Sequence, residues 1–275
     1  MIIDSRIFKR IFRKKPERLI IQDCLDILNE LRNLKSRYFE SKSEEEKSEI
    51  EERQRKLVEK MKEKLDEILK HVERTRKEKD KNELMGQWGY FIDQLAINLP
   101  LPDLLDGKNL DLQQEALSIL IPYLNEHPEA KEIVRAIFMI YHHGAGIDKN
   151  LFIEEYQRVL TERQEHSKEF AIKYIESENK AKTFLEKYIA LILDLREFSL
   201  DRDYDILLRA RARKGDEIFN CLLDVANWYA RIAHYQRIAG FNEDAESNQR
   251  RADKLYQRLT NIDPNLRKAL EAFYK

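Results

Sequence analysis

Only two cysteines, Cys24 and Cys221, occur among 275 residues. They stand far apart, with no CxxC spacing and no neighbouring histidine, which argues against a zinc site or a disulfide framework and fits a reducing cytoplasm. Glycine (7) and proline (6) are scarce too, too few for the many turns of a β-sandwich. Long hydrophobic runs are missing: stretches such as Ala136 to Tyr141 fall far short of the roughly 18 apolar residues that span a bilayer. Charge of one sign is also lacking. Lys and Arg number 50 against 51 Asp and Glu, and the resulting −1 gives no global pull toward nucleic acid or an anionic membrane, so any such pull has to be local. Bases interrupt the apolar positions of the N-terminus and no small-residue cleavage site follows, so it does not read as a secretory signal. No phosphate-binding glycine loop, nucleophile elbow or zinc-protease signature occurs, and the Glu-x-x-His pairs of a di-iron bundle are missing. No cofactor or metal is expected, and a non-enzymatic role is favoured.

What is present is helical periodicity. At 42% hydrophobic and 37% charged, the chain is too apolar for disorder. Ile21, Cys24, Leu28, Leu31 and Tyr38 mostly recur at steps of three and four from Glu17 onward, which puts them on one helix face. Ser41 to Ser43 breaks that pattern, and Ser43 with Glu46 has capping-box spacing for a second helix. Val58, Met61, Leu65, Ile68 and Val72 then repeat as a and d positions among dense Lys and Glu to about Asn82, which predicts a long helical hairpin over 17–82. The aromatic cluster from Trp88 to Phe91 marks entry into a second region, 83–275, read as an irregular multi-helix body. Leu99 to Asn109, with Pro100, Pro102 and Gly107, is expected to be a loop. Helices are expected from Asp111 to Asn125, from Pro128 in a first-turn position to a break at His142–Gly146, and from an Asp148 cap onward. Further helices follow around Phe184 to Ile192, after a Ser199 cap, and from Ile218 to a left-handed Gly240, with Asn242 opening the last. The fold class is all-α.

In that final hairpin, 216–264, Trp228, Tyr235, Gly240-Phe241, Ala245, Ala252 and Asp263-Pro264 resemble a tetratricopeptide motif over about 40 residues. The resemblance implies two closely approaching antiparallel helices with an aromatic in their cleft, and protein or peptide binding rather than chemistry. Arg231 and Ile232 stand where that family has Leu-Gly, and the second helix runs several residues too long before Pro264. No second copy stands upstream at a fixed period.

Three sets of residues are candidates for function. Arg135 precedes His142 by seven positions, which resembles the arginine-to-histidine spacing of ribonucleases in the HEPN (higher eukaryote and prokaryote nucleotide-binding) family; it implies nuclease or nucleotide-binding chemistry, although Ala136 and Ile137 replace the usual polar residue. His142-His143, followed by a Gly-Ala-Gly turn, could place imidazoles on a loop to bind a metal or shuttle a proton, but the plainer account is a helix end favoured by the macrodipole. Arg209, Arg211, Arg213 and Lys214 form a basic patch able to contact phosphates or an acidic partner, or else simply a solvated helix end before Gly215. Glu67 with His71 and Glu162 with His166 have the spacing of weak surface pairs. Finally, Ile3, Ile7, Phe8, Ile11 and Phe12 share a helical face while Arg6, Lys9, Arg10, Arg13 and Lys14 occupy the rest of 1–16. Seven bases against two acids give a net +5 from Met1 to Arg18. Such a segment suits an anionic membrane surface, a partner helix or the protein's own hairpin. The expectation is therefore a cytoplasmic adaptor or scaffold with a protein partner, peripheral to a membrane if the first segment binds lipid; nucleic acid is the less favoured partner.

Overall fold

A computed structural model of the chain describes residues 17–162 and 165–266, apart from the side chain of Arg18. Among these are eleven helices and no strand, as the periodicity requires. The basic amphipathic segment, including Ile3, Arg6, Ile7, Phe8, Lys9, Arg10, Ile11, Phe12, Arg13 and Lys14, lies outside the described residues. The chain divides into two compact units between residues 164 and 165.

The first unit opens with a hairpin of α1 (Glu17–Glu40) and α2 (Glu44–Arg74). Their seam is the expected one: Ile21, Cys24, Leu28 and Leu31 on α1, and Val58, Met61, Leu65, Ile68 and Val72 on α2, all buried. Burial also pushes the Cys24 thiol up to about 12, so this cysteine packs as a small apolar residue. The Ser43 hydroxyl accepts from the Glu46 amide at 3.3 Å, and the Glu46 carboxylate accepts from the Ser41 hydroxyl at 2.7 Å, fixing the start of α2. Cross-hairpin pairs Lys64–Asp23 (3.2 Å) and Arg37–Glu46 (3.3 Å) line the solvated edges.

The composition shift after Asn82 is not a break between elements, because α3 (Glu78–Ile97) runs straight through it. This helix is the hub of the unit, packing on α2, α5 and α6. Two glycines permit the approach. A Cβ on Gly86 would lie 2.7 Å from the carbonyl carbon of Glu132 on α6, and one on Gly89 would lie 2.9 Å from Ala136 Cβ. The expected Leu99–Asn109 loop contains the short helix α4 (Leu101–Leu105), with Pro102 in its first turn where no N–H is needed. Helix α5 (Lys108–Glu126) then starts from Gly107 at φ 69°, earlier than Asp111. Pro128 is not a first-turn residue: α6 (Lys131–His142) begins three residues later, after Ala130. Helix α7 (Lys149–Glu162) has its expected Asp148 cap, whose Oδ1 accepts from Asn150 and Leu151 N–H at 3.0 and 3.1 Å.

The second unit contains α8 (Lys168–Ile192), α9 (Tyr204–Arg209), α10 (Glu217–Ala239) and α11 (Asn242–Ile262). Ser199 does not cap α9. The helix begins five residues later, at Tyr204, after a turn in which Asp203 N–H donates to the Ser199 carbonyl at 2.8 Å and Ser199 N–H donates to Asp203 Oδ2 at 2.9 Å. Gly240 ends α10 in the left-handed conformation (φ 89°), with Phe241 N–H reaching Gln236 O at 2.8 Å, a Schellman closure. Helix α10 packs on α8 and on α11, and α11 buries only one face, through Ala245, Ala252, Leu255, Tyr256 and Leu259.

Candidate functional site

Burying a carboxylate in a helical core is costly unless donors surround it. The first unit does this at Glu155 of α7, which pairs with Arg158, and more completely in the last turns of α3, at the fully buried side chain of Asp93. Three donors from three elements converge on it. Gln94 Nε2 of α3 donates to Oδ2 and Gln113 Nε2 of α5 to Oδ1, each at 3.2 Å. His143, the residue that closes α6, brings Nδ1 to 2.8 Å from Oδ2 and 2.9 Å from Oδ1. Around them, Arg32 of α1 donates to Gln94 Oε1 at 2.6 Å and Lys35 donates to the Ile97 carbonyl at 2.7 Å. Burial raises the Tyr90 phenol above its ordinary value, opposed by Arg32 and, more weakly, Arg135. Burial also lowers Lys35.

The arrangement has chemical content. Asp93 accepts, so Nδ1 of His143 carries a proton and the ring orientation is fixed, which leaves Nε2 as the nitrogen able to exchange a proton with a third group. The His143 side chain is 14% exposed. Gln113 cannot be turned over, since its Nε2 is held by the carboxylate; its Oε1, like Oδ1 of Asn109 one turn earlier on α5, is buried without a hydrogen-bond partner.

The expected arginine–histidine pair fares differently. Arg135 is half-buried on α6, while His142 is buried (5% exposed) and stacks on Phe138 with ring centroids 5.4 Å apart. It is the neighbouring His143 that meets the carboxylate. Sequence spacing could not show this contact, because Asp93 lies fifty residues away on another helix.

In the second unit a corresponding cluster joins α8 to α10. Glu178 is fully buried, and desolvation pushes its carboxyl well above the ordinary range against the pull of Arg231. Arg231 donates to the Tyr174 hydroxyl at 3.0 Å. Tyr235 stacks on Tyr174 at 3.9 Å between centroids, and burial pushes its phenol up to about 12. Trp228 Nε1 donates to the Glu178 carbonyl at 3.2 Å. Trp228 and Tyr235 of the tetratricopeptide-like pattern therefore contact α8. Hydrogen bonds across α10–α11 include the Tyr256 hydroxyl donating to Asn227 Oδ1 at 2.8 Å and Asn248 donating to Gln236 at 2.9 Å.

The basic patch is exposed but is not a helix end before Gly215: α9 stops at Arg209, and Arg211, Arg213 and Lys214 follow in non-helical chain. Glu162 and His166 do not share a helix, as α7 ends at Glu162, and His166 stacks on Phe170 at 4.5 Å. Glu67 accepts from Lys64 at 3.2 Å.

Sequence reasoning missed Asp93, Glu178 and Gln113. A signal was present: Asp93 sits between Ile92 and Leu95, and Glu178 stands four residues after Tyr174, both in phase with buried positions. A charge in that phase needs partners.

Among the described residues no helix is long and apolar enough to cross a membrane, and no three His, Cys, Asp or Glu side chains gather as metal ligands. No family model, curated protein or solved structure matches this chain.

Proposed function

We propose that this chain is a helical interaction protein, an adaptor or scaffold whose tetratricopeptide-like hairpin α10–α11 receives a protein partner. The observation that carries this reading is the layering of the second unit. Helix α10 is covered on one side by α8 and on another by α11, while α11 buries a single face and leaves the rest of its surface to solvent. Repeat-type hairpins bind in this way, each helix held by its neighbours and the outer faces left for a ligand. The buried clusters at Asp93 and Glu178 support the same view, since both fasten helix to helix.

Affinity capture from the native host, after nuclease treatment, tests the proposal. A protein retained at near-equal stoichiometry by the intact chain, and displaced by added untagged chain, supports it. Absence of any such protein counts against it.

A second, chemical reading attaches to His143, because an imidazole oriented by a buried carboxylate is the usual arrangement of a general base. On the ribonuclease-like alternative, cleavage of RNA by purified chain would be abolished by His143→Ala and by Arg135→Ala. Absence of cleavage by the intact chain removes that reading.

A further inference from the structure

The segment that follows α9 is held at both ends in a way that frees its arginines. The Arg258 guanidinium of α11 donates to the carbonyls of Leu207 and Ala210, closing the C-terminus of α9 from outside. At the other end, Arg213 N–H donates to Asp216 Oδ2 at 2.8 Å, and Lys214 pairs with Asp263 at 2.9 Å. Gly215 takes a positive φ of 73° to make the turn into α10. Asp216 is also spent as the cap of α10, accepting from Phe219 N–H at 2.7 Å.

Between these anchors burial alternates. Arg209, Arg211 and Arg213 are exposed, while Ala210 and Ala212 are half-buried, and Ala210 is extended at φ −59°, ψ 133°. Extended chain advances about 3.3 Å per residue, so every second side chain recurs at about 6.6 Å on the same side. That interval is comparable to the spacing of successive phosphates along a nucleic-acid strand. None of the three arginines makes an ion pair among the described residues, although exposed cations elsewhere, such as Arg53, Lys56 and Lys62, do. Asp205, one turn before Arg209, and Glu217 are the exposed acids nearest in sequence. Helix-dipole complementarity accounts for Arg209 alone, since the others lie beyond the helix.

We infer that Arg209, Arg211 and Arg213 form a comb that binds the phosphodiester backbone of a nucleic acid without reading its sequence. Arginine forks engage phosphate oxygens in pairs. Only alanines stand between them, so the segment supplies neither the aromatic platform that stacks bases nor the apolar anchor on which protein interfaces depend. This activity is separate from the partner site on α10–α11 and does not require it.

The test is fluorescence anisotropy with the full-length chain, using a labelled single-stranded RNA, a DNA duplex of unrelated sequence and a poly-glutamate peptide across a salt series. Three phosphate contacts imply a slope of about −2.1 on single strands and about −2.7 on duplex in log affinity against log salt, or roughly a 20- to 40-fold loss for a fourfold rise in salt. Arg209→Gln/Arg211→Gln/Arg213→Gln should remove that much slope while melting at the same temperature. Lys60→Gln/Lys70→Gln/Arg74→Gln, which deletes equal charge from α2, should bind as the intact chain does. The inference is overturned if the intact chain binds neither nucleic acid, if the two variants lose affinity equally, or if poly-glutamate binds as tightly as the nucleic acids.

Discussion

Replacing Asp93 by alanine removes the acceptor of three donors at once. Gln94 and Gln113 are buried, and each loses its contact with the carboxylate; His143, partly exposed, can turn its Nδ1 toward water. A hydrogen bond to a charged group contributes about 1.5–3 kcal/mol, and an uncompensated buried donor costs about 1–3 kcal/mol. With the two buried amide donors stranded, Asp93→Ala should destabilise the first unit by about 2–6 kcal/mol. Asp93→Asn should cost less, because its one carbonyl oxygen still serves one donor. In a double-mutant cycle with His143→Ala, the coupling should lie at about 1.5–3 kcal/mol, toward the lower end because the imidazole is near solvent. Urea titration followed by tryptophan fluorescence measures this cleanly. Trp88 is buried on α3 near the site, and a Trp228→Phe background silences the second unit. A cost for Asp93→Ala below about 1 kcal/mol, or a coupling near zero, would refute the assignment of the cluster as the lock between α3, α5 and α6.

Gly86→Ala gains about 1 kcal/mol of helix propensity but drives a Cβ into the Glu132 backbone, and overpacking costs about 1–3 kcal/mol or more; a net loss is expected, larger than for Gly89→Ala, where the Leu120 side chain can move. Thermal melts of the two variants decide this. For Glu178 the folded carboxyl titrates well above its unfolded value, so the second unit is most stable below about pH 4.5 as far as this group is concerned, and loses that stability as pH rises from there toward the folded value. Urea midpoints read from Trp228 should show that slope, and Glu178→Gln should abolish it. The basic N-terminal segment should carry the intact chain down with anionic vesicles at low salt but not at high salt; deletion of Met1 to Lys15 or Ile7→Glu/Phe8→Glu should leave it in the supernatant, and sedimentation of the deletion would exclude lipid attachment through this segment.

Much of the helical layout was legible because its signals are local. The three-and-four stepping on α1 and α2, the Ser43 and Asp148 caps and the left-handed Gly240 each depend on residues within one or two turns. The same locality explains the misses. Pro102 suggested a loop, but a proline in the first turn sacrifices no hydrogen bond, so α4 forms around it. Ser199 has a capping side chain, but a turn from Ser199 to Asp203 intervenes and the helix starts only at Tyr204. Periodicity shows which face of α10 is apolar without showing which helix covers it, and Trp228 and Tyr235 turn to α8. The site was least legible. In a chain with 51 acids, a buried Asp93 or Glu178 is distinguished only by its phase among apolar neighbours, and its partners come from other helices.

The interaction reading is tested most directly by hydrogen exchange of the chain with and without its captured partner. Protection concentrated in α10 and α11, over Glu217–Ile262, is the expected result. Protection confined to the α1–α2 hairpin, or none anywhere, would contradict the placement of the partner site on the tetratricopeptide-like hairpin.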